Sequence, residues 1–203
     1  HKAERENLNQ LYDAFVKRYG SLNSADNIKL IKTDSAGKEI PYLERVGILW
    51  VTNHINPAQE HLATNIVRQK IILGIERLTP LLTYTKRIVL FLPEGEYHEL
   101  GLLYVHFLLK QKGIYVDYLG TNVPMVDLKY LTEFKKVDYL YCHITMPARN
   151  FKLDKFFTNL ATINQQIPII LSGQMIQEYK GKISPNIHLK RSLSETIAFL
   201  QDI

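Results

Sequence analysis

From Lys86 onward the chain changes rhythm, and this change limits its possible folds more than any other feature. Short apolar runs fall at 88–92, 115–119, 139–144, 167–171 and 187–189. Their length and their content of Val, Ile, Tyr and Phe mark them as strands. Helical stretches begin between them near His98, Val126, Leu153 and Gln174, and a last one occupies 193–202. Strand and helix therefore alternate five times. Parallel neighbours need a crossover that a helix usually supplies, so the expected fold class is α/β, a five-stranded doubly wound parallel sheet covered on both faces. The default strand order is 2-1-3-4-5. Residues 82–203 are assigned to this domain.

Residues 1–81 read differently, as a helical-bundle cap. The stretch 3–19 has apolar positions at Leu8, Leu11, Phe15 and Val16, with Gly20 as a stop. Residues 21–37 are polar and loop-like, and Pro41 opens a short amphipathic run through Leu43, Val46, Leu49 and Trp50. Asn56-Pro57 is a helix start, because Asn caps, Pro suits the first position and Gln59 stands where a capping-box partner belongs. The helix that follows places Ala63, Val67, Ile71, Ile75 and Leu78 on one face, and Thr79-Pro80 ends it.

Composition removes several function classes. The single cysteine, Cys142, excludes an internal disulfide framework or a Cys-based zinc site. The net charge of +5 is dispersed over pairs such as Lys17-Arg18 and Lys135-Lys136, which suits a solvated surface better than a nucleic-acid stripe. No apolar run nears the roughly 20 residues of a bilayer span and no signal peptide is legible, so no membrane partner and a cytoplasmic location are expected. The first residue is His1, from which a longer natural protein is expected.

In a doubly wound sheet, ligands bind beyond the carboxyl ends of the strands, at the switch point. The loop after the first strand of this sheet reads Pro93-Glu94-Gly95-Glu96-Tyr97-His98-Glu99-Leu100-Gly101. His98 offers an imidazole there, and Glu96 can accept a hydrogen bond from its other ring nitrogen, which fixes the tautomer of a metal-bound histidine. Gly101 lets the helix backbone approach a bulky ligand. By spacing alone, His98 as a helix-start residue with Glu96 as its cap is the commoner reading.

Glu96-x-His98-x-x-Gly101 resembles the Asp/Glu-x-His-x-x-Gly signature of proteins that bind cobalamin with histidine as the lower cobalt ligand. The resemblance implies a flavodoxin-like sheet, His98 on cobalt, and a displaced nucleotide tail threading down beside the strands. That signature continues with Ser-x-Leu or Ser-x-Thr, then Gly-Gly. Here 41 residues separate Gly101 from His143-Ile144-Thr145, and 26 more lead to Ser172-Gly173. The spacing fits, but His143 stands for Ser and Ser172 for Gly. Both add atoms where the tail passes, and overpacking costs about 1–3 kcal/mol, roughly 10- to 100-fold in affinity. Alternatively, His143 supplies the tail with a new hydrogen bond. The resemblance further implies corrin contacts for Asn122 and Val123, and Tyr97, directly before His98, is expected against the ring.

The first half is similar to the cap bundle of MerR-type, light-responsive transcription regulators. Trp50, nine intervening residues, then Glu60-His61 match their Trp-x9-Glu-His pattern. The resemblance implies Trp50 over the upper axial face, Glu60 at an adenosyl group, and adenosylcobalamin held between cap and α/β domain. A histidine that follows the Trp in some of these light sensors is replaced by Val51, with His54 one turn away.

The expected function is thus a cobalamin-binding regulatory region, not an enzyme. Expected partners are a homo-oligomer and DNA, the latter through a helix-turn-helix domain outside this chain. Two alternatives stand beside it: a corrinoid methyl carrier of a methyltransferase, and a degenerate sensor that no longer binds cobalamin.

Overall fold

The computed structural model describes residues 31–33, 39–41, 57–79 and 86–203. The chain divides into two compact units, His1–Arg77 and Leu78–Ile203.

In the first unit, strands β1 (Ile31–Thr33) and β2 (Glu39–Pro41) pair antiparallel, with Lys32 opposite Ile40. This pairing departs from the loop expected across 21–37. Two three-residue strands are too short for a periodicity window to register, although Asp34-Ser35-Ala36-Gly37 between them is rich in turn formers. Helix α1 (Pro57–Arg77) begins at the expected proline. Ala63, Val67, Ile71 and Ile75 are buried, the i, i+4 stripe that the sequence laid out.

The second unit is the doubly wound domain. Its elements are β3 (Arg87–Pro93), α2 (Leu100–Gln111), β4 (Tyr115–Val123), α3 (Met125–Phe134), β5 (Tyr139–His143), α4 (Leu153–Ala161), β6 (Ile169–Ser172), α5 (Gln174–Gln177), β7 (Ile187–Leu189) and α6 (Leu193–Asp202). The sheet order is β4-β3-β5-β6-β7, every pairing parallel. This is the expected 2-1-3-4-5 order. The chain leaves β3 for β4 on one side and returns to β5 on the other, so the switch point lies above the carboxyl end of β3.

Side-chain alternation along the strands builds two cores. Val89, Phe91, Cys142, Ile169 and Leu171 pack with Leu128 of α3, Phe156, Phe157 and Leu160 of α4, and Ile176 of α5. Ile88, Leu90, Leu92, Tyr141 and Ile170 pack on the opposite face with Leu102, Val105 and Leu109 of α2 and Leu200 of α6. Strand β3 is buried from Ile88 to Pro93, as a central parallel strand must be.

Two boundaries move in ways that bear on function. Helix α2 starts at Leu100, so His98 lies in the loop before it and not at the helix head. Strand β4 runs on to Val123 and takes in Asn122 and Val123, which the sequence placed in the following loop. Asn122 makes this possible by adopting φ 56°, a left-handed conformation that asparagine tolerates better than most residues.

Candidate functional site

The loop between β3 and α2 is organised by one buried carboxylate. Glu96 has no exposed surface. Its Oε1 accepts from the backbone N–H of Tyr97 and His98, both at 2.9 Å, and from His98 Nδ1 at 2.6 Å. Its Oε2 accepts from the N–H groups of Thr145 and Met146 at 2.8 and 2.7 Å, beyond the end of β5. Burial alone would raise its pKa, but the hydrogen bonds from His98, Thr145 and Met146 outweigh that and hold the carboxyl at about 2. Glu96 is therefore an anion that ties two adjacent strand-end loops together.

That charge sets the tautomer of His98. An ionised carboxylate only accepts, so Nδ1 carries the proton, and in the neutral ring the lone pair lies on Nε2. The His98 side chain is 55% exposed, against 0% for Glu96. Glu96 closes the backbone turn at Tyr97 and His98 and also steers the ring, whereas the helix-start reading fails, because α2 begins at Leu100 with Glu99 as its N-cap. Around it the loop is pinned further. Gly95 N–H donates to Asn122 Oδ1 at 2.9 Å, Asn122 N–H donates to the Glu96 carbonyl, and Ala148 N–H donates to the Gly95 carbonyl.

Exposed apolar side chains accompany His98 at this edge of the sheet. Tyr97 is 64% exposed, Met146 58% and Val126 71%, and they follow β3, β5 and β4 respectively. Only Tyr97 was named by the sequence reading. Met146 and Val126 carry no local signal, since their shared position comes from the strand order.

The other predicted residues of the domain meet beside α2. His143 ends β5 and Ser172 ends β6, and the two are register partners. His143 Nδ1 and Ser172 Oγ are 2.8 Å apart, and Ser172 Oγ lies 2.5 Å from the Tyr141 hydroxyl. Burial lowers the His143 pKa to about 4 against the opposing charge of Glu96, so the ring is neutral near pH 7. Burial likewise pushes the Tyr141 phenol up, against its hydrogen bonds with Ser172 and Thr196. The His143 ring packs on Gly101: a Cβ there would stand 2.5 Å from Nε2 and 2.8 Å from Cδ2. Gly173 is glycine for a different reason, having φ +102° and space for a Cβ only 2.3 Å from the Ile144 carbonyl. Tyr141 was missed in the sequence because it sits inside an apolar strand run.

The remaining predicted residues belong to the first unit. Glu60 lies in the first turn of α1, where Thr64 Oγ1 donates to it at 2.7 Å and His61 Nδ1 stands 2.9 Å away. Trp50 lies outside the described residues, as do Val51 and His54.

The residues present fit part of the expected cofactor. One imidazole with a fixed tautomer and an exposed apolar rim suits a planar macrocycle that brings its own equatorial ligands. Beside Gly101, where the resemblance puts the nucleotide tail, stands the ring of His143.

By fold and site this is a flavodoxin-like α/β domain with a histidine presented at the switch point. No family model matches the chain. It is 31% identical over 108 residues to the HTH-type transcriptional repressor CarA of Myxococcus xanthus, across 53% of this chain and 35% of that protein. It is 35% identical over 128 residues to the HTH-type transcriptional repressor CarH of the same organism, across 63% of this chain and 41% of that protein. The chain thus spans well under half the length of these curated relatives. The resemblance to transcription regulators read from the sequence holds. Among solved structures, the monomethylamine corrinoid protein of Methanosarcina barkeri shares the fold, with TM-score 0.56, 14% identity, and coverage of 79% of this chain and 78% of that one.

Proposed function

We propose that this chain is the corrinoid-binding regulatory region of a larger transcription regulator. In this reading His98 would hold the cobalt of a corrinoid through Nε2 at the carboxyl edge of the sheet. The observation that carries it is the Glu96–His98 pair at the switch point, a proton-fixed imidazole beside an apolar rim. Sequence similarity to two HTH-type repressors supports regulation over catalysis. When bound, the corrinoid would supply a cobalt centre whose upper ligand can be exchanged. The chain's own residues would orient the imidazole through Glu96 and shield the lower face with Tyr97, Val126 and Met146.

An adenosyl upper group is part of the proposal and rests on the sequence pattern of Trp50, Glu60 and His61. DNA recognition by a separate helix-turn-helix domain, ligand-dependent oligomerisation and a cytoplasmic location are also proposed. Among the described residues no helix is long and apolar enough to cross a membrane.

The test is a titration with adenosylcobinamide and with adenosylcobalamin in the dark, followed by visible absorption. Binding is expected to shift the cobalt bands toward a histidine-ligated spectrum with at least one of the two. In His98→Ala the shift is expected to disappear. No spectral change with either corrinoid at high micromolar concentration would overturn the proposal.

A further inference from the structure

In a complete cobalamin whose base has left cobalt, the nucleotide hangs from the same face of the ring that His98 would ligate. The family resemblance puts the path of that nucleotide beside Gly101 of α2. The space beside α2 at Gly101 is taken. With hydrogen in place of a side chain, Gly101 meets the edge of the His143 ring, and not even a methyl group fits between them.

This ring is built in rather than resting there. Its Nδ1 is bonded to Ser172 Oγ, Ser172 is itself buried and bonded to Tyr141, and Tyr141 is a buried part of the core on the α2 face of the sheet. Moving His143 aside would leave Ser172 with one partner fewer and would require room in a filled interior. A neutral imidazole also suits the site better than a charged one, so no protonation near neutral pH drives it out.

We infer that this chain is selective for corrinoids that lack the lower nucleotide, the cobinamide class, with the His143–Ser172–Tyr141 chain filling the place the nucleotide would need. The inference rests on the corrinoid reading above. It concerns a different part of the ligand from the one His98 touches.

The experiment compares adenosylcobinamide with adenosylcobalamin, which share the upper ligand and differ in the nucleotide. Both are titrated in the dark against the whole chain by absorption and calorimetry. The wild type is expected to bind the cobinamide at least about 10-fold more tightly, the lower end of what overpacking a filled site costs. His143→Ser, which keeps a hydroxyl near Ser172 and opens the slot, is expected to gain affinity for the cobalamin by about 10-fold and to leave cobinamide binding within about 3-fold. Equal wild-type affinities for the two ligands would overturn the inference while leaving the corrinoid reading intact. Binding of neither would overturn both. Were His143→Ser to misfold, the wild-type ratio alone would decide the matter.

Discussion

His143 and Glu96 are both buried or nearly so, and the structure settles their charges in opposite ways. Glu96 is kept ionised by five N–H donors, whereas His143 has a hydroxyl partner and is kept neutral. The second case has a pH consequence. The folded His143 holds its pKa at about 4, below the ordinary value of 6.5. Between those values the unfolded chain binds a proton that the folded chain refuses, so stability contributed by this site is full above about pH 6.5 and falls as pH drops toward 4. The loss is on the order of 2 kcal/mol after allowing for the ring's partial exposure. Denaturant unfolding of wild type and His143→Asn at several pH values checks this: the gap between the two curves should change across that window and be flat above it. Of these residue-scale facts, the Glu96–His98 contact was legible, since two residues two apart in a loop can only reach so far. The Glu96 bonds to Thr145 and Met146 span 49 and 50 residues and left no trace in any local pattern.

Among the elements, α2 and the ends of β5 and β6 make one closely fitted junction. Two glycines border it, and they are expected to respond differently. Gly101→Ala drives a methyl into the His143 ring, so it should destabilise the wild type by about 1–3 kcal/mol and much less when His143 is already Ser. Gly173→Ala meets the backbone carbonyl of Ile144 at a positive φ, so His143→Ser should give it no relief. A double-mutant cycle by chemical denaturation measures both, and equal costs for Gly101→Ala in the two backgrounds would argue against the packing described. The strands and helices of the junction were readable because each is an apolar run of the right length with its own period. The fit between them was not. The family resemblance tied residues 143 and 172 to Gly101 and expected added bulk there, but only the folded chain shows the His143 ring against Gly101 and held by Ser172. The β1–β2 pairing escaped for another reason: strands of three residues are shorter than the window in which alternation can be recognised.

For the molecule as a whole, the order of the five parallel strands followed from the alternation of strand and helix, because right-handed crossovers leave few other arrangements. What the chain does with a ligand depends on states that differ in affinity for it. A corrinoid that binds only the folded chain should raise stability by about 2.7 kcal/mol at 100 times its Kd. Thermal melts with rising adenosylcobinamide should therefore climb in wild type and stay level in His98→Ala, and sizing chromatography of the same samples should show a larger species only where the melt has moved. One property of the unliganded molecule also follows from the buried Glu96. A carboxylate anchored to two loops at once cannot swivel, and the imidazole it grips is aimed before anything arrives. The rotational freedom of that ring is surrendered when the chain folds, before any ligand binds. On the corrinoid reading proposed above, a metal would meet an imidazole already aimed by Glu96, so capture would not have to wait for that ring to turn.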